Sequence, residues 1–459
     1  MHSRRIWKSR WLALLLGLVL APLAFAGKTG SEPPTPAARL FPRAQLRAPE
    51  IYWSVLLFHP SPPAKDVVAS ARKLLKEKYP KLNPAAVADK QQPEAMVEKA
   101  RDEDLDPIDE DMLQYVGRTL TPEERKSLMK ARQATVLSFR IPFEQRHEAL
   151  LAATRFAHQV ASEQGAFLWD TETREYFSSK VWKEQRLDGW SGGVPFVPAH
   201  IVVHVYKDGE ALRLISLGMA KLGLPDLVAE QVPQSLSDEM GRLINTVAQL
   251  LAEGMVLSAD GTMDVDLAKL KDAKLKGQLE SRTQKGAPRR AKLQALEAQR
   301  DQGDPENPLL ELGFPGSGDL HARHVAALDA LFGKRPDNVT PVASGDPELE
   351  AVAVKARARL LELRPRVERG LHPPEKLLLK AGFRTDDGNL EFMWFEATSW
   401  QAGSWRGTLA NEPENVSRLR MGSPVSVSEP EVVDFLYVNP AGGREGGESS
   451  RILMRRQGY

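Results

Sequence analysis

Few groups in this 459-residue chain have a spacing that could do chemistry. The most distinctive is Asn411-Glu412-Pro413, with Trp400 and Trp405 before it and Asp434 after it. Glu412 and Asp434 could act as acid and base if one cleft held their carboxyls roughly 5–10 Å apart. Trp400 and Trp405, beside Gly403, are placed as an exposed aromatic contact surface. The tripeptide also has a conformational reading. Pro413 suits the first position of a helix, Asn411 can cap it, and Glu412 and Glu414 favour its N-terminus. Leu409 can staple to Val416. Capping accounts for every residue type here, so it ranks ahead of catalysis.

The histidines offer less. His200 and His204 enclose Ile-Val-Val, which reads as strand, so their rings lie roughly 13 Å apart and cannot share one ion. His321 and His324 stand three apart on a helical pattern and could share one, but a zinc site needs a third protein ligand. They are read as solvent-facing. The acidic run 102–111 fails as a calcium loop, because Pro107 replaces the required Gly and Leu113 the bidentate Glu. It is read as a solvated loop. There is no phosphate loop, dinucleotide fingerprint or Gly-x-Ser-x-Gly elbow. No cofactor and no metal are expected.

The elements that must position these groups begin after a leader. Arg4, Arg5, Lys8 and Arg10 precede a Leu-rich run, and Ala24-Phe25-Ala26 forms a cleavage site after Ala26. The run is short for a membrane span. The chain is therefore expected to be exported, periplasmic or extracellular, with no membrane span once the leader is removed. Its lack of cysteine excludes disulfides and thiolate sites and suits an oxidising compartment. The formal charge is +1, and the leader holds basic but no acidic side chains. The remainder is slightly acidic, which gives no case for nucleic acid.

Residues 27–50 read as a flexible tether. Residues 51–257 show strand and helix patterns in alternation: an apolar strand over 51–58, a helix opened by Asp66, a strand over 135–143, and a helix over 144–164 stopped by Gly165. Thr121-Pro122 marks a helical insert. This predicts an α/β sandwich-like domain. Residues 258–308 read as a charged helical linker. Ten Lys or Arg face three acids between Lys269 and Arg300, with no aromatic residue. Such an arm could meet another envelope protein or an anionic cell-wall polymer.

From 309 to 459 the pattern predicts leading helices (320–332 and 347–368). Short strands follow over 376–383, 390–399, 404–410, 425–428 and 432–438, with a small helix from 411 to 420 and a last strand over 451–455. Together these predict a small, strongly bent sheet or partly open barrel packed by the long helix. The residues Phe392, Trp394, Gly407, Leu409, Asn411, Glu412, Pro413, Gly422, Val425, Val427 and Asp434 resemble the YegJ-like bacterial domain of unknown function over 377–454. The family carries Trp where this chain has Phe435. The resemblance implies no activity. Residues 51–255 resemble the upstream halves of other uncharacterised bacterial proteins.

The sequence thus predicts an α+β protein of two domains. Its expected role is non-catalytic binding or interaction in the cell envelope. A hydrolase or transferase using Glu412 and Asp434 is the alternative, as is an immunity-like binder of a toxin.

Overall fold

The computed structural model describes residues 39–452, apart from 64–65, 85–90, 102–104, 106, 191–192, 209–210, 234–235, 334–345, 372–374, 387, 412, 414–415, 441–442 and 450. The predicted leader and its cleavage site at Ala26 lie outside the described residues. So do residues 453–455 of the strand predicted over 451–455, whose first two residues, Arg451 and Ile452, are helical instead. The chain divides into two compact units. The first takes the chain through Phe332 except 207–212 and 231–239, which go with the second.

Strand β1 (Glu50–His59) is apolar on both faces and buried along almost its whole length, so it must lie inside a sheet. It does, between two neighbours. The order of the first sheet is β2-β3-β4-β1-β5-β6. Its members are β2 (Asn83–Pro84), β3 (Glu94–Lys99), β4 (Gln133–Pro142), β5 (Phe167–Asp170) and β6 (Glu175–Phe177). β1 runs antiparallel to both β4 and β5, and β3 antiparallel to β4. Helix α1 (Val67–Lys78) follows β1, with Asp66 accepting the Ala69 N–H as N-cap. The insert α2 (Glu110–Val116) and α3 (Pro122–Leu128) separates β3 from β4, and Thr121 and Glu124 form a capping box at α3. Helix α4 (Arg146–Gln164) joins β4 to β5 and ends at Gly165, whose φ of 59° suits a residue without Cβ. The path β1-α1-β3-β4-α4-β5, with β1 and β4 central, is a split β-α-β of ferredoxin-like topology.

A short helix α5 (Ser179–Trp182) runs on as one π-helical turn, Lys183–Leu187. The second sheet has the order β10-β11-β12-β9-β8-β7. It is made of β7 (Val202–Asp208), β8 (Ala211–Leu217), β9 (Asp226–Val232), β10 (Thr262–Asp266), β11 (Arg290–Glu297) and β12 (Leu309–Gly313). Helix α6 (Ser237–Ala252) buries Met240, Leu243, Ile244, Val247, Leu250 and Leu251, an apolar stripe at helical spacing.

Two expectations are corrected here. Residues 258–308 are not a connector. They contribute β10, helix α7 (Ala273–Glu280) and β11, which pair into the sheet, and β12 then pairs parallel with β9. Alternating apolar residues explain this: Met263, Val265, Leu293 and Ala295 are all fully buried, a period of two that the many charges between them obscured. The first unit therefore extends through helix α8 (Leu320–Phe332). The second half of the predicted tether is also fixed. Phe41 and Leu46 are buried, and the Phe41 and Ala48 N–H groups donate to the carbonyls of Ala295 and Gly223.

In the second unit helix α9 (Pro347–Glu368) is capped by Asp346 and starts with Pro347. Its inner face, Val352, Ala356, Leu360, Leu363 and Val367, is buried. It covers a six-stranded sheet ordered β16-β15-β14-β13-β17-β18. The strands are β13 (Lys376–Arg384), β14 (Leu390–Gln401), β15 (Ser404–Leu409), β16 (Pro424–Ser428), β17 (Val432–Val438) and β18 (Arg444–Gly446). Every pair is antiparallel. The α+β class stands. The sheet stays open, with β16 and β18 as its edges, rather than closing toward a barrel. No helix of the described residues is long and apolar enough to cross a membrane.

Candidate functional site

The residues singled out in the second unit do not share a cleft. Trp405 is fully buried, which corrects its placement on an exposed surface. It pairs across strands with Trp400, and both pack into the core under α9. Trp400 keeps some exposure but is spoken for. Arg364 of α9 stacks 4.2 Å from its ring centroid, its indole N–H donates to Glu429 at 3.0 Å, and Arg364 also pairs with Glu429. Aromatic area beside a turn glycine is as well suited to covering a core edge as to meeting a partner.

Asn411 ends β15. Its side-chain oxygen accepts the backbone N–H of Trp394 at 2.6 Å, and the Ala410 N–H donates to the Trp394 carbonyl at 2.7 Å. The amide side chain thus completes a ladder that the departing backbone no longer supplies. The described residues around it form turns and no helix, so the capping reading is right about a structural role and wrong about the element. Glu412 lies outside the described residues. We expect Asn411→Ala to cost about 1–3 kcal/mol, because it strands a half-buried N–H. Urea denaturation should show a lower midpoint with an unchanged slope.

Asp434 is 1% exposed and its oxygens are engaged. Oδ1 accepts the Phe435 N–H at 2.8 Å. Oδ2 accepts the Ser449 N–H at 2.8 Å and the Ser449 hydroxyl at 2.6 Å. Its register partner is Lys380, also buried. Burial pulls the Lys380 ammonium down to about 8 against the pull of Asp434, and the Trp394 ring centroid lies 5.7 Å away. Glycines explain the rest of the motif. A Cβ on Gly407 would run into the Glu396 carbonyl oxygen and come within 2.7 Å of its carbon, at a register shift between Ala397 and Ser399. Gly422 has φ 85°.

The sequence reading missed a larger polar assembly in the first unit. Asp170 closes β5 with no solvent exposure. Its Oδ1 accepts the Trp53 indole N–H at 3.0 Å and the Glu172 N–H at 3.1 Å. Its Oδ2 meets the ammonium of Lys221, which is fully buried, and lies 3.3 Å from Arg186 Nη2. Arg186 sits on the π-helical turn, donates to the Ala199 carbonyl and to Thr173, and lies 4.8 Å from the Phe177 ring centroid. Burial alone would raise the Asp170 carboxyl, but Lys221 and Arg186 outweigh it and bring it down to about 2. Burial lowers Lys221, and Asp170 opposes that.

Next to this pair Asp226, the first residue of β9, accepts from Ser216, the Met219 N–H and Asn307. Burial pushes it up to about 6 against those bonds. Glu172 is raised by burial and by the Asp170 and Asp226 carboxylates. His200 joins this shell by donating from Nε2 to the Arg186 carbonyl at 3.1 Å, and burial lowers its pKa well below the usual value. It serves as a structural histidine. His324 is buried at 1% against the Phe314 ring, which corrects its solvent-facing placement. No cluster of three metal-ligating side chains occurs among the described residues.

Shifted carboxyls and a π-helical turn often mark catalytic sites. Here the strongest groups face one another, and the arrangement closes on itself as an internal salt-bridge network. The Asp226 shift has a measurable sign. A carboxyl raised in the fold stabilises below its unfolded value and loses that contribution as pH rises through the folded one. Wild type should therefore lose on the order of 2–3 kcal/mol relative to Asp226→Asn between about pH 4 and 6, with a constant difference above that. Denaturation midpoints at stepped pH check this.

No curated protein and no solved structure matches this chain. Residues 360–456, from within α9 through the sheet of the second unit, match the family described as an uncharacterized protein conserved in bacteria (DUF2314).

Proposed function

We propose that the protein is exported and serves in the cell envelope as a non-catalytic binding protein for an anionic partner. One observation carries the reading. All ten Lys and Arg side chains between Lys269 and Arg300 are exposed, whereas one of the three acids in that stretch, Asp272, is buried. Because β10, α7 and β11 are pinned into a sheet, these cations are held on a folded surface rather than dispersed on a linker. Lys269 and Arg290 pair with the Asp264 carboxylate. A fixed surface with an excess of cations attracts a polyanion with strong salt dependence. The engagement of both Asp434 oxygens argues against its use as an acid or base. Within the uncharacterised bacterial class, the residues Trp394, Gly407, Asn411 and Asp434 support the YegJ-like identity of 377–454.

The test uses the full chain and a soluble polyanion, polyglutamate, at stepped salt. Binding should weaken steeply with salt and fall at least about tenfold in a Lys271→Glu, Lys274→Glu, Lys276→Glu variant. In cells the tagged protein should fractionate with the envelope and begin at Gly27. Binding unchanged in the triple variant, or a cytoplasmic protein with an intact N-terminus, would refute the reading.

A further inference from the structure

The outer face of α9 carries a second apolar stripe. Ala351, Val354, Ala358 and Leu361 are all exposed, with Val354 at 61% and Leu361 at 55%. Their spacing of three, four and three residues is that of alternating a and d positions in a heptad. The buried inner face of the same helix belongs to the sheet, so this stripe is not spare core. A 22-residue helix with apolar residues on two opposite faces is expected to cover both.

The charges beside the stripe select the occupant. With Ala351 as a and Val354 as d, Lys355 and Glu362 fall at e, and Glu350 and Arg357 at g. In a parallel pair of identical helices each g residue meets the e residue five positions on in the other helix. Glu350 then meets Lys355, and Arg357 meets Glu362, so both pairs are of opposite sign, and each occurs twice by symmetry. In an antiparallel pair with a packed on d, Arg357 faces its own copy. Within one chain Lys355 and Glu362 make only solvent-exposed pairs. Lys355 lies 3.5 Å from Glu448 with 70% of its side chain exposed, and Glu362 pairs with Arg359 at a largely exposed site; such pairs hold little energy. Arg357 is held in place by its Nη1 bonds to the carbonyls of Pro430 and Val432. The next g residue, Arg364, turns inward to Glu429 and Trp400, and Pro365 closes the seam.

We infer that the outer face of α9 is a self-association surface, on which a second copy of this chain packs its own α9 parallel and in register. Ala at both a positions allows close approach of the helices, and Leu361 meets its own equivalent. With only two heptads the dimer is weak and concentration-dependent.

The absence of cysteine makes the test clean. Leu361→Cys in the full chain should form a reducible cross-linked dimer on mild oxidation, while Glu123→Cys, exposed in the first unit, should not. Sedimentation equilibrium should show wild type dimerising, at least about tenfold weaker association for Lys355→Glu, and recovery in Glu350→Lys with Lys355→Glu. All these side chains are exposed, so the fold is retained, as circular dichroism will verify. The inference is overturned if Leu361→Cys cross-links no better than the control and wild type stays monomeric. It is equally overturned if Ala351→Cys pairs with Leu361→Cys in a mixture in preference to self-pairing, or if Leu361→Cys in envelope extract captures a different protein instead of its own copy.

Discussion

Asp170→Ala should destabilise the first unit by roughly 3–5 kcal/mol, the cost of leaving buried cations without their counter-charge. Lys221 has no exposure and Arg186 only 2%, and both bring their charge to the same Oδ2. Removing the carboxylate also takes the acceptor from the Trp53 indole. The loss should appear in thermal or urea unfolding of the full chain, in the transition that belongs to the first unit. Lys221→Met alone should cost less, because Arg186 still neutralises Asp170. The double change of Asp170→Leu with Lys221→Met should recover part of the loss, since replacing a buried pair by apolar groups is often near neutral. The pH signature has the opposite sign to that of Asp226. The Asp170 carboxyl is depressed to about 2, so its contribution is complete above about pH 4 and disappears as pH falls toward 2. A variant at Asp170 should lose this acid sensitivity. Equal stability of Asp170→Ala and wild type at pH 7 would mean that the network carries no weight.

Gly407→Val should be as severe in the second unit, at about 3 kcal/mol or more. The side chain would have to displace the Glu396 carbonyl, a backbone group that cannot rotate away, and β14 and β15 pair tightly on either side of the register shift. Overpacking against backbone exceeds the usual penalty for an added methylene because nothing flexible can yield. Gly403→Ala, by comparison, meets no atom within 4 Å and is strained only by its φ of 83°, so it should cost no more than about 1–2 kcal/mol. Measured side by side, the two separate a glycine kept for space from one kept for dihedral freedom. A Gly407→Val variant with wild-type stability would show that the strands can part there without loss.

Much of the framework was legible in the residues. Apolar runs placed β1 and β4, Gly165 ended α4, and the helical pattern over 347–368 placed α9, because caps and periodicity are local and need no knowledge of partners. The failures were all non-local. Residues 258–308 looked like a linker because charged and polar residues such as Asp264, Asp266, Arg290 and Lys292 fill most outward positions, leaving the inward alternation of Met263, Val265, Leu293 and Ala295 short and interrupted. The ionic network draws Trp53, Asp170, Arg186, Lys221, Asp226 and Asn307 from six separate elements and loops, and no spacing links them. The only local hint was a charge set inside an apolar run, as at Asp170 and Asp226. In the second unit the distinctive motif was legible, but its tryptophans read as a contact surface, Asn411 as a helix cap and Asp434 as a possible acid or base. Trp405, Asn411 and Asp434 are each used to close the sheet, so distinctiveness there reflects geometric demand.

The strap formed by residues 39–49 bears on the order in which the chain matures. Leu40 bridges to Leu296, the Phe41 N–H reaches the Ala295 carbonyl, and the Glu297 N–H reaches the Arg39 carbonyl. These contacts join residues 39–41 to partners more than 250 positions downstream. A ribosome emitting roughly 5–20 residues per second needs tens of seconds to supply those partners. Until then the split β-α-β can assemble while the strap in front of it stays loose. The first unit is therefore completed late in synthesis, and truncation before β11 should leave its N-terminal segment open to protease even where β1 is already paired.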